Sequence, residues 1–497
     1  MNNKKIRLRF APSPTGYMHV GNFRSALYAY LFVKKNNGEF ILRIEDTDRK
    51  REVQGAVEKI IQIINWAGFQ YQEGVFMEDG KIVQRGEFGP YIQSERLEIY
   101  KQYAQELIKN KTAYYCFCTE DELQAMRDEQ IVQKKPPMYN RKCLNLSAEE
   151  IEKKIASGAP YVVRQKINTQ GMTAYQDMVR GHIEFKNELL DDQILIKSDG
   201  YPTYNFANVI DDHLMQISHV FRGEEYISST PKYIQLYQNF NWEIPVVAHL
   251  PLLLNLDKSK LSKRQGDVSV DDYIKNGYLR EAIINFVVLL GWNLGEGSTQ
   301  EIFSLKDLEN IFDIQRVHKA GAFFDIKKLD WLNAQYIKKL SLNDLYQKSL
   351  EFFQQKDFYN NATAEKKVES YLKKVLTVEQ ERLIKLSEVG EENKFFFSAE
   401  VDVNVDDMRW KENSDKQTRE NLEKAKDVLK NISDENWTLE NIEKELLEIA
   451  GDKRGDLLFP LRAVLTGEKK SPSPFQVSWV LGKEESLKRI EKGIALV

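Results

Sequence analysis

Cysteine is scarce: three residues in 497, an odd number, all between positions 116 and 143. So few thiols exclude a disulfide framework and fit a reducing compartment. Long hydrophobic runs are missing as well. The longest apolar stretch, residues 282–292, is far short of the roughly 20 residues a membrane helix needs. It predicts a buried helix, and no membrane partner is expected. The N-terminus Met1-Asn2-Asn3-Lys4-Lys5 has no apolar h-region, so a secretory leader is not expected and a cytoplasmic location is. There is no internal repeat and no low-complexity tract. Neither sign of charge dominates: 71 basic against 75 acidic residues leave a net −4. That balance does not advertise nucleic acid, yet a local basic groove on a near-neutral protein remains compatible with it.

What the chain does have is core-forming material. Its 42% hydrophobic content excludes a disordered chain, and its length suits about three or four domains. Residues 6–10 alternate and are rich in β-formers, so they predict a strand, and 40–44 predict a second. Between them Phe23, Ala26, Leu27, Tyr30 and Leu31 fall at helical spacing. Leu97, Tyr100, Ala104, Leu107 and Ile108 mark another amphipathic helix. Strands alternating with helices at this spacing predict a parallel α/β sheet. The texture changes over 113–190, which holds the cysteines and a Lys134-Lys135-Pro136-Pro137 break, and reads as an insertion. The α/β texture returns over 194–223. After about 335 the chain is charge-dense with a helical pattern. Leu422, Val428, Leu429, Trp437 and residues 446–449 argue for packed helices there rather than a solvated linker.

Two motifs carry chemistry. Arg9-Phe10-Ala11-Pro12-Ser13-Pro14-Thr15-Gly16 followed by His19-Val20-Gly21-Asn22 lies between a predicted strand and a helix starting near Asn22. Gly21 leaves room for a close ligand approach, and the helix start offers unpaired N–H groups suited to phosphate. Read blandly, it is an ordinary strand–helix turn capped by Asn22. The second motif is Lys260-Leu261-Ser262-Lys263-Arg264 in a polar loop. Two lysines flanking a serine place mobile positive charge where a triphosphate can lie, although a Lys-rich loop alone is more often a solvated one.

Together the two motifs resemble those of the class I aminoacyl-tRNA synthetases, where a HIGH-type motif and a KMSKS-type loop clamp ATP from opposite sides. Asn22 and, in the second motif, Leu261 and Arg264 depart from the consensus in the manner of the glutamyl branch. Residues 9–16, 40–48, 89–96, 197–213, 221–225, 324–329, 460–467 and 481–483 are similar to the bacterial glutamyl pattern. The segment 76–88 looks longer than that pattern, and Ile92 stands where an arginine is common; no role is assigned there.

The resemblance implies a Rossmann-like α/β catalytic domain in two halves, 1–112 and 194–245, split by an acceptor-end-binding domain at 113–193. A stem-contact region with the lysine loop would follow at 246–334, and an all-α anticodon-binding domain at 335–497. It implies ATP with Mg²⁺, glutamate and tRNA(Glu) as ligands, tRNA(Gln) as an open question, and a monomer. His19, Lys260 and Lys263 would be catalytic. With Gly21, Asn22 and Ser262 they would bind ATP. For glutamate, Arg9 and Arg222 would hold the side-chain carboxylate, Glu45 the α-ammonium, and Tyr204 and Asn208 the α-carboxylate, with Ala11 and Ser13 lining the pocket. The bland alternatives are an ion pair of Arg222 with Glu224 or Glu225, and a salt bridge of Glu45 to Arg43 or Arg49. Cys116, Cys118 and Cys143 with Tyr139 match the positions of a structural zinc site; bound Zn²⁺ and three reduced thiols are both open readings.

Rival readings are a glutaminyl enzyme, disfavoured by Arg222 and the cysteine-bearing insertion, and a short relative that glutamylates a modified tRNA base, disfavoured by the helical C-terminal third. A small-molecule adenylate-forming ligase would not need that third. A non-catalytic tRNA-binding paralogue would be expected to have lost His19 or the lysine loop.

Overall fold

The computed structural model describes residues 5–261, 269–295 and 297–497. It divides into two compact units: the described residues up to Tyr273 with Ile283–Ile326, and Ile274–Ala282 with Lys327–Val497.

The first unit opens with β1 (Arg7–Phe10), α1 (Val20–Lys35) and β2 (Glu39–Leu42). β1 and β2 run parallel, Arg9 opposite Ile41. A second helix, α2 (Ala56–Ala67), returns the chain to β3 (Glu73–Glu78), parallel to β2, and β3 turns back into β4 (Lys81–Arg85). The segment that looked over-long is therefore an antiparallel hairpin. Its Asp79-Gly80 turn has positive φ at both residues, 47° and 74°, as the tightest hairpin loops require.

α3 (Leu97–Lys109) leads into the expected insertion. That segment contributes β5 (Ala113–Cys116), α4 (Glu120–Val132), α5 (Ala148–Ala156), β6 (Val162–Gln165), β7 (Met172–Asp177) and β8 (Gly181–Lys186). Then come β9 (Ile194–Ile196), α6 (Tyr204–Leu214), β10 (His219–Gly223), α7 (Thr230–Asn239) and β11 (Val246–Leu250). β5, β6 and β9 form one antiparallel sheet, and β10-β11-β7-β8 form another. The β7–β8 hairpin thus extends the sheet of β10 and β11, Asp177 lying opposite Val247 on β11. The edge of that sheet adjoins β1, where Ser218 N donates to the Arg7 carbonyl at 3.0 Å. Tyr100 and Leu107 of α3, Phe206 and Ile210 of α6 and Leu236 of α7 share one apolar core. As predicted, residues 280–289 are a helix with a buried apolar body.

The second unit contains no β-strand among its described residues. A helix at Ile326–Lys338 runs across the division expected at 334/335, because Leu329, Leu332, Asn333 and Ile337 form one continuous buried stripe. Ile274–Ala282 is built into this unit. Leu279 N donates to Asn333 Oδ1 at 2.8 Å, and Ser387 Oγ donates to the Asn276 carbonyl at 2.7 Å. Gly277 sits at φ 82°, and a Cβ there would lie 2.5 Å from Ser387 N. The helices at Asp415–Asn431 and Leu439–Ala450 bury Leu422, Leu429 and Leu446, as the sequence pattern predicts.

Candidate active site

A cleft of about 2150 Å³ opens where β1, β2 and β10 end. Ligand sites in open α/β sheets lie at these carboxyl ends. Arg9, Ala11, Ser13, His19, Gly21, Asn22, Glu45, Tyr204, Arg222 and Lys260 all line it.

One wall is the start of α1. The helix begins at Val20, not near Asn22, and its cap is His19, whose Nδ1 accepts from Gly21 N at 2.9 Å. A ring nitrogen that accepts carries no proton, so the ring proton sits on Nε2. A Cβ on Gly21 would lie 3.2 Å from that same Nδ1. The glycine therefore makes room for the His19 ring as well as for a ligand. Opposite ends of the lysine loop are tied to this wall and to its neighbour. Lys260 bridges Leu254, Leu261 is buried, and Ser269 bridges His19. Ser262, Lys263 and Arg264 lie outside the described residues.

The deeper pocket is a charge network. Asp212 Oδ1 accepts from Arg9 Nε and from an Arg43 terminal nitrogen, each at 2.8 Å, and Arg43 also donates to Glu45 Oε1 at 2.8 Å. Burial works against charge on Asp212, but Arg9 and Arg43 hold its carboxyl below the usual range. Burial works against Arg9 too, and Asp212 more than restores it. At Glu45 burial wins over Arg43 and Arg9, and its carboxyl is pushed above the usual range. Glu45 Oε2 has no hydrogen-bond partner and is buried. The salt bridge to Arg43 exists, then, and it occupies only one of the two oxygens.

Arg222 is buried, at 8% exposure, and its Nε and one terminal nitrogen have no hydrogen-bond partner among the described residues. The ion pair with Glu224 or Glu225 does not form. Glu224 pairs with Arg180 and accepts from Leu252 N instead. The Arg222 guanidinium lies against two phenol rings, 5.5 Å from the Tyr226 centroid and 4.6 Å from Tyr233. Tyr204, 5.3 Å from Tyr226 between ring centroids, is held neutral by burial. Asn208 is not on the cleft wall. It is buried one helical turn below Tyr204, donates to the Tyr204 carbonyl at 2.6 Å, and borders a small chamber behind Arg222.

Charge counting gives this pocket a sign. Arg9 and Arg43 stand with Asp212 and Glu45, whereas Arg222 has no carboxylate partner among the described residues, and Arg24, also buried at the cleft, donates to the Leu290 and Pro251 carbonyls. A buried charge is stable only when paired. The pocket therefore fits an anion whose partner groups include one ammonium, met by Glu45 Oε2. Sequence reasoning named Arg9, Glu45 and Arg222, and Arg43 only as a salt-bridge partner of Glu45; it gave no role to Asp212, which accepts from both Arg9 and Arg43. A second buried set, in which Arg96, Gln93 and Tyr100 donate to Asp211 at 2.7–2.8 Å, lies beside it, with Asp211 Oδ2 3.9 Å from Arg43 Nε. Consecutive acids Asp211-Asp212 in an apolar helical stretch were the available signal.

Along the same cleft lie Cys116 and Cys118. The sulfurs of Cys116, Cys118 and Cys143 lie within 4.8 Å of one another. The Tyr139 hydroxyl is 3.3 Å from Cys116 Sγ and 3.5 Å from Cys118 Sγ, and Cys143 N donates to it at 3.0 Å. Four donors converging at this spacing fit a tetrahedral metal with ligands at about 2.0–2.3 Å. Arg164 stands 4.1 Å over the Tyr139 ring and offsets the negative charge such a ligand set would carry.

Residues 5–331 match the family described as "tRNA synthetases class I (E and Q), catalytic domain", and residues 337–494 match "Anticodon binding domain". The chain is 44% identical over 508 aligned residues to a glutamate–tRNA ligase of Chlorobium luteolum, covering 100% of this chain and 99% of that one. It is 45% identical to one of Clostridium tetani, covering 99% and 98%. Among solved structures, a glutamate tRNA ligase from Elizabethkingia meningosepticum in complex with its amino acid superposes with a TM-score of 0.87 at 34% identity, covering 99% of each chain. A glutamate-tRNA synthetase from Elizabethkingia anophelis gives 0.86 at 34% identity, covering 99% of this chain and 100% of that one.

Proposed function

The chain belongs to the class I tRNA synthetases of the glutamate and glutamine type, and on that premise we propose that it attaches glutamate to the 3′ end of tRNA(Glu) at the expense of ATP. The observation that carries the choice of glutamate is Arg222: a buried guanidinium with two unpartnered nitrogens beside the cleft. The side chain of free glutamate carries a negative charge at neutral pH, which can meet the Arg222 guanidinium, whereas the neutral amide of glutamine leaves it unpaired.

The reaction has two steps. An oxygen of the glutamate α-carboxylate attacks the α-phosphorus of ATP, the bond to the β-phosphate oxygen breaks, and pyrophosphate leaves. A terminal ribose hydroxyl of the tRNA then attacks the carbonyl carbon, and AMP leaves. No protein nucleophile is needed. Arg9 and Arg222 hold the side-chain carboxylate, Glu45 Oε2 the α-ammonium, and Tyr204 the α-carboxylate side, with Ala11 and Ser13 along the wall. His19, through Nε2–H, and Lys260, with Ser262 and Lys263 beyond it, stabilise charge on the phosphates, while Gly21 and Asn22 border them. Losing one such donor costs on the order of 10²–10³ in rate. Asn208 acts from behind Tyr204, through its backbone. Mg²⁺ accompanies ATP and neutralises phosphate charge.

Cys116, Cys118, Tyr139 and Cys143 are the residues that would hold Zn²⁺, which would brace the segment 113–193 that receives the tRNA acceptor end. The helical unit reads the anticodon loop. A monomeric, cytoplasmic enzyme is the accompanying expectation.

The test is attachment of radiolabelled glutamate to purified tRNA(Glu) and tRNA(Gln), with ATP, magnesium and competing glutamine. Charging of tRNA(Glu) with glutamate and not with glutamine is the expected result, and charging of tRNA(Gln) as well would make the enzyme non-discriminating. Attachment of glutamine, or no attachment by a folded sample, would overturn the reading.

A further inference from the structure

Behind the cleft, three polar side chains from three elements form one line of hydrogen bonds. Asp177 ends β7, His249 lies in β11 and Thr230 opens α7, and all three are at most 1% exposed. Asp177 Oδ2 accepts from His249 Nδ1 at 2.7 Å and from the His249 backbone N–H at 3.0 Å. Its Oδ1 accepts from the Val179 and Arg180 amides at 2.9 and 2.8 Å. A carboxylate only accepts, so the imidazole proton is on Nδ1. Burial, helped by the Arg222 charge, holds the ring below its ordinary value despite Asp177, which leaves it neutral with Nε2 as a bare acceptor. That nitrogen is 3.1 Å from Thr230 Oγ1, which is also 2.9 Å from the Tyr226 carbonyl oxygen. A single hydroxyl proton between two acceptors fixes the hydroxyl and the first turn of α7.

None of the three lines the cleft. What they hold is the setting of Arg222. His249 and Arg222 are register partners on β11 and β10. Tyr226 owns the carbonyl that Thr230 meets, and Tyr233 lies three residues further along α7. These are the two rings against which the guanidinium lies. Thr230 also borders, with Arg222, Asn208 and Asp212, a chamber of about 20 Å³ behind the guanidinium.

We propose that Asp177, His249 and Thr230 are positioning residues for the substrate side chain: their buried relay fixes Tyr226 and Tyr233 and so aims the unpartnered edge of Arg222. The proposal rests on the reading of Arg222 as the partner of the glutamate side-chain carboxylate. A misplacement of about 1 Å costs on the order of 10²-fold in such sites, so part of that range is expected when the relay is cut.

Thr230→Val keeps the side-chain shape and removes the hydroxyl, and Thr230→Ser restores it. In aminoacylation assays, Thr230→Val is expected to raise KM for glutamate roughly tenfold or more, with KM for ATP near wild type and the melting midpoint lowered by the unmet His249 Nε2. Thr230→Ser is expected to return KM for glutamate to the wild-type range. A folded Thr230→Val enzyme with unchanged KM for glutamate overturns the proposal. Histidine ¹⁵N NMR on the wild-type protein tests it without any substitution: a neutral ring protonated on Nδ1 is expected for His249, and protonation on Nε2 overturns it. Wild-type enzyme that does not charge with glutamate would remove the underlying reading, whereas charging wild type beside an unaffected Thr230→Val removes only the relay.

Discussion

At the residue scale, the proposed selectivity rests on buried atoms that lack a partner among the described residues. Arg222 has two such nitrogens and Glu45 has one such oxygen. Arg222→Gln removes that cation, so kcat/KM for glutamate is expected to fall by about 10²–10³, the size of losing a buried charge partner. Steady-state charging with glutamate and glutamine checks this, and an unchanged ratio between the two substrates would contradict the assignment. Arg9, Glu45 and Arg222 were legible because each stands inside a motif whose neighbours repeat a known pattern. Asp212 and its bond to Arg43 were not, because nothing local distinguishes a buried charge from a solvated one. Their pairing joins β2 to α6 across 169 residues of chain. Asn208 shows the limit from the other side: its type fits a carboxylate contact, yet its amide is committed to the Tyr204 carbonyl.

At the element scale, the start of α1 was legible to within two or three residues. The error came from reading Asn22 as the cap by propensity. A histidine in the extended conformation does the capping instead, and its Nδ1 is thereby engaged by the Gly21 amide. The cysteine cluster belongs to this scale too, since β5 carries Cys116, and Cys118 and Cys143 follow from the turns beyond it. Cys143→Ser is expected to abolish stoichiometric zinc, measured by elemental analysis of the purified protein, and to speed proteolysis within 113–193. Equal metal content in both proteins would leave the reduced-thiol reading.

The helix at Glu369–Glu379 ends on a buried carboxylate whose hydrogen bonds come from Gly390 N at 3.0 Å and Asn393 Nδ2 at 2.8 Å. Burial pushes Glu379 up to about 7 against those two donors. In the unfolded chain the same group releases its proton near 4.3. Between these values the folded state keeps a proton that the unfolded state has lost. Stability from this group is therefore full below about pH 4.3, falls as pH rises towards 7, and is flat above it, with a total loss on the order of 3 kcal/mol. Glu379→Gln is expected to flatten the pH dependence of the helical unit's melting midpoint between pH 5 and 8 and to raise that midpoint at pH 8. Parallel profiles for the two proteins would refute it.

At the scale of the whole molecule, apolar period and charge density change near 335, whereas the described residues divide at 326/327, at the start of the helix that spans Ile326–Lys338. The finer division was not legible. Ile274–Ala282 belongs with the helical unit although it precedes residues of the first one. Short segments carry too little periodicity to declare a partner more than fifty residues away. Gly277→Ala tests the assignment, since a side chain at φ 82° meets Ser387 N at 2.5 Å. It is expected to destabilise the helical unit by about 2 kcal/mol or more. Hydrogen exchange checks this: faster exchange around Asn333 and Leu386 is expected, with β1 and β2 unchanged.

The excursion of Ile274–Ala282 also sets a timetable for synthesis. This nonapeptide leaves the ribosome 104 residues before Leu386, which meets the Gly277 carbonyl at 3.0 Å. At about 5–20 residues per second, that is a wait of roughly 5–20 seconds. During it the first unit acquires Ile283–Ile326, and the nonapeptide can meet Asn333 but not yet Leu386 or Ser387. The nascent chain can therefore complete its first unit before the last anchors of a strip that precedes part of that unit have been synthesised.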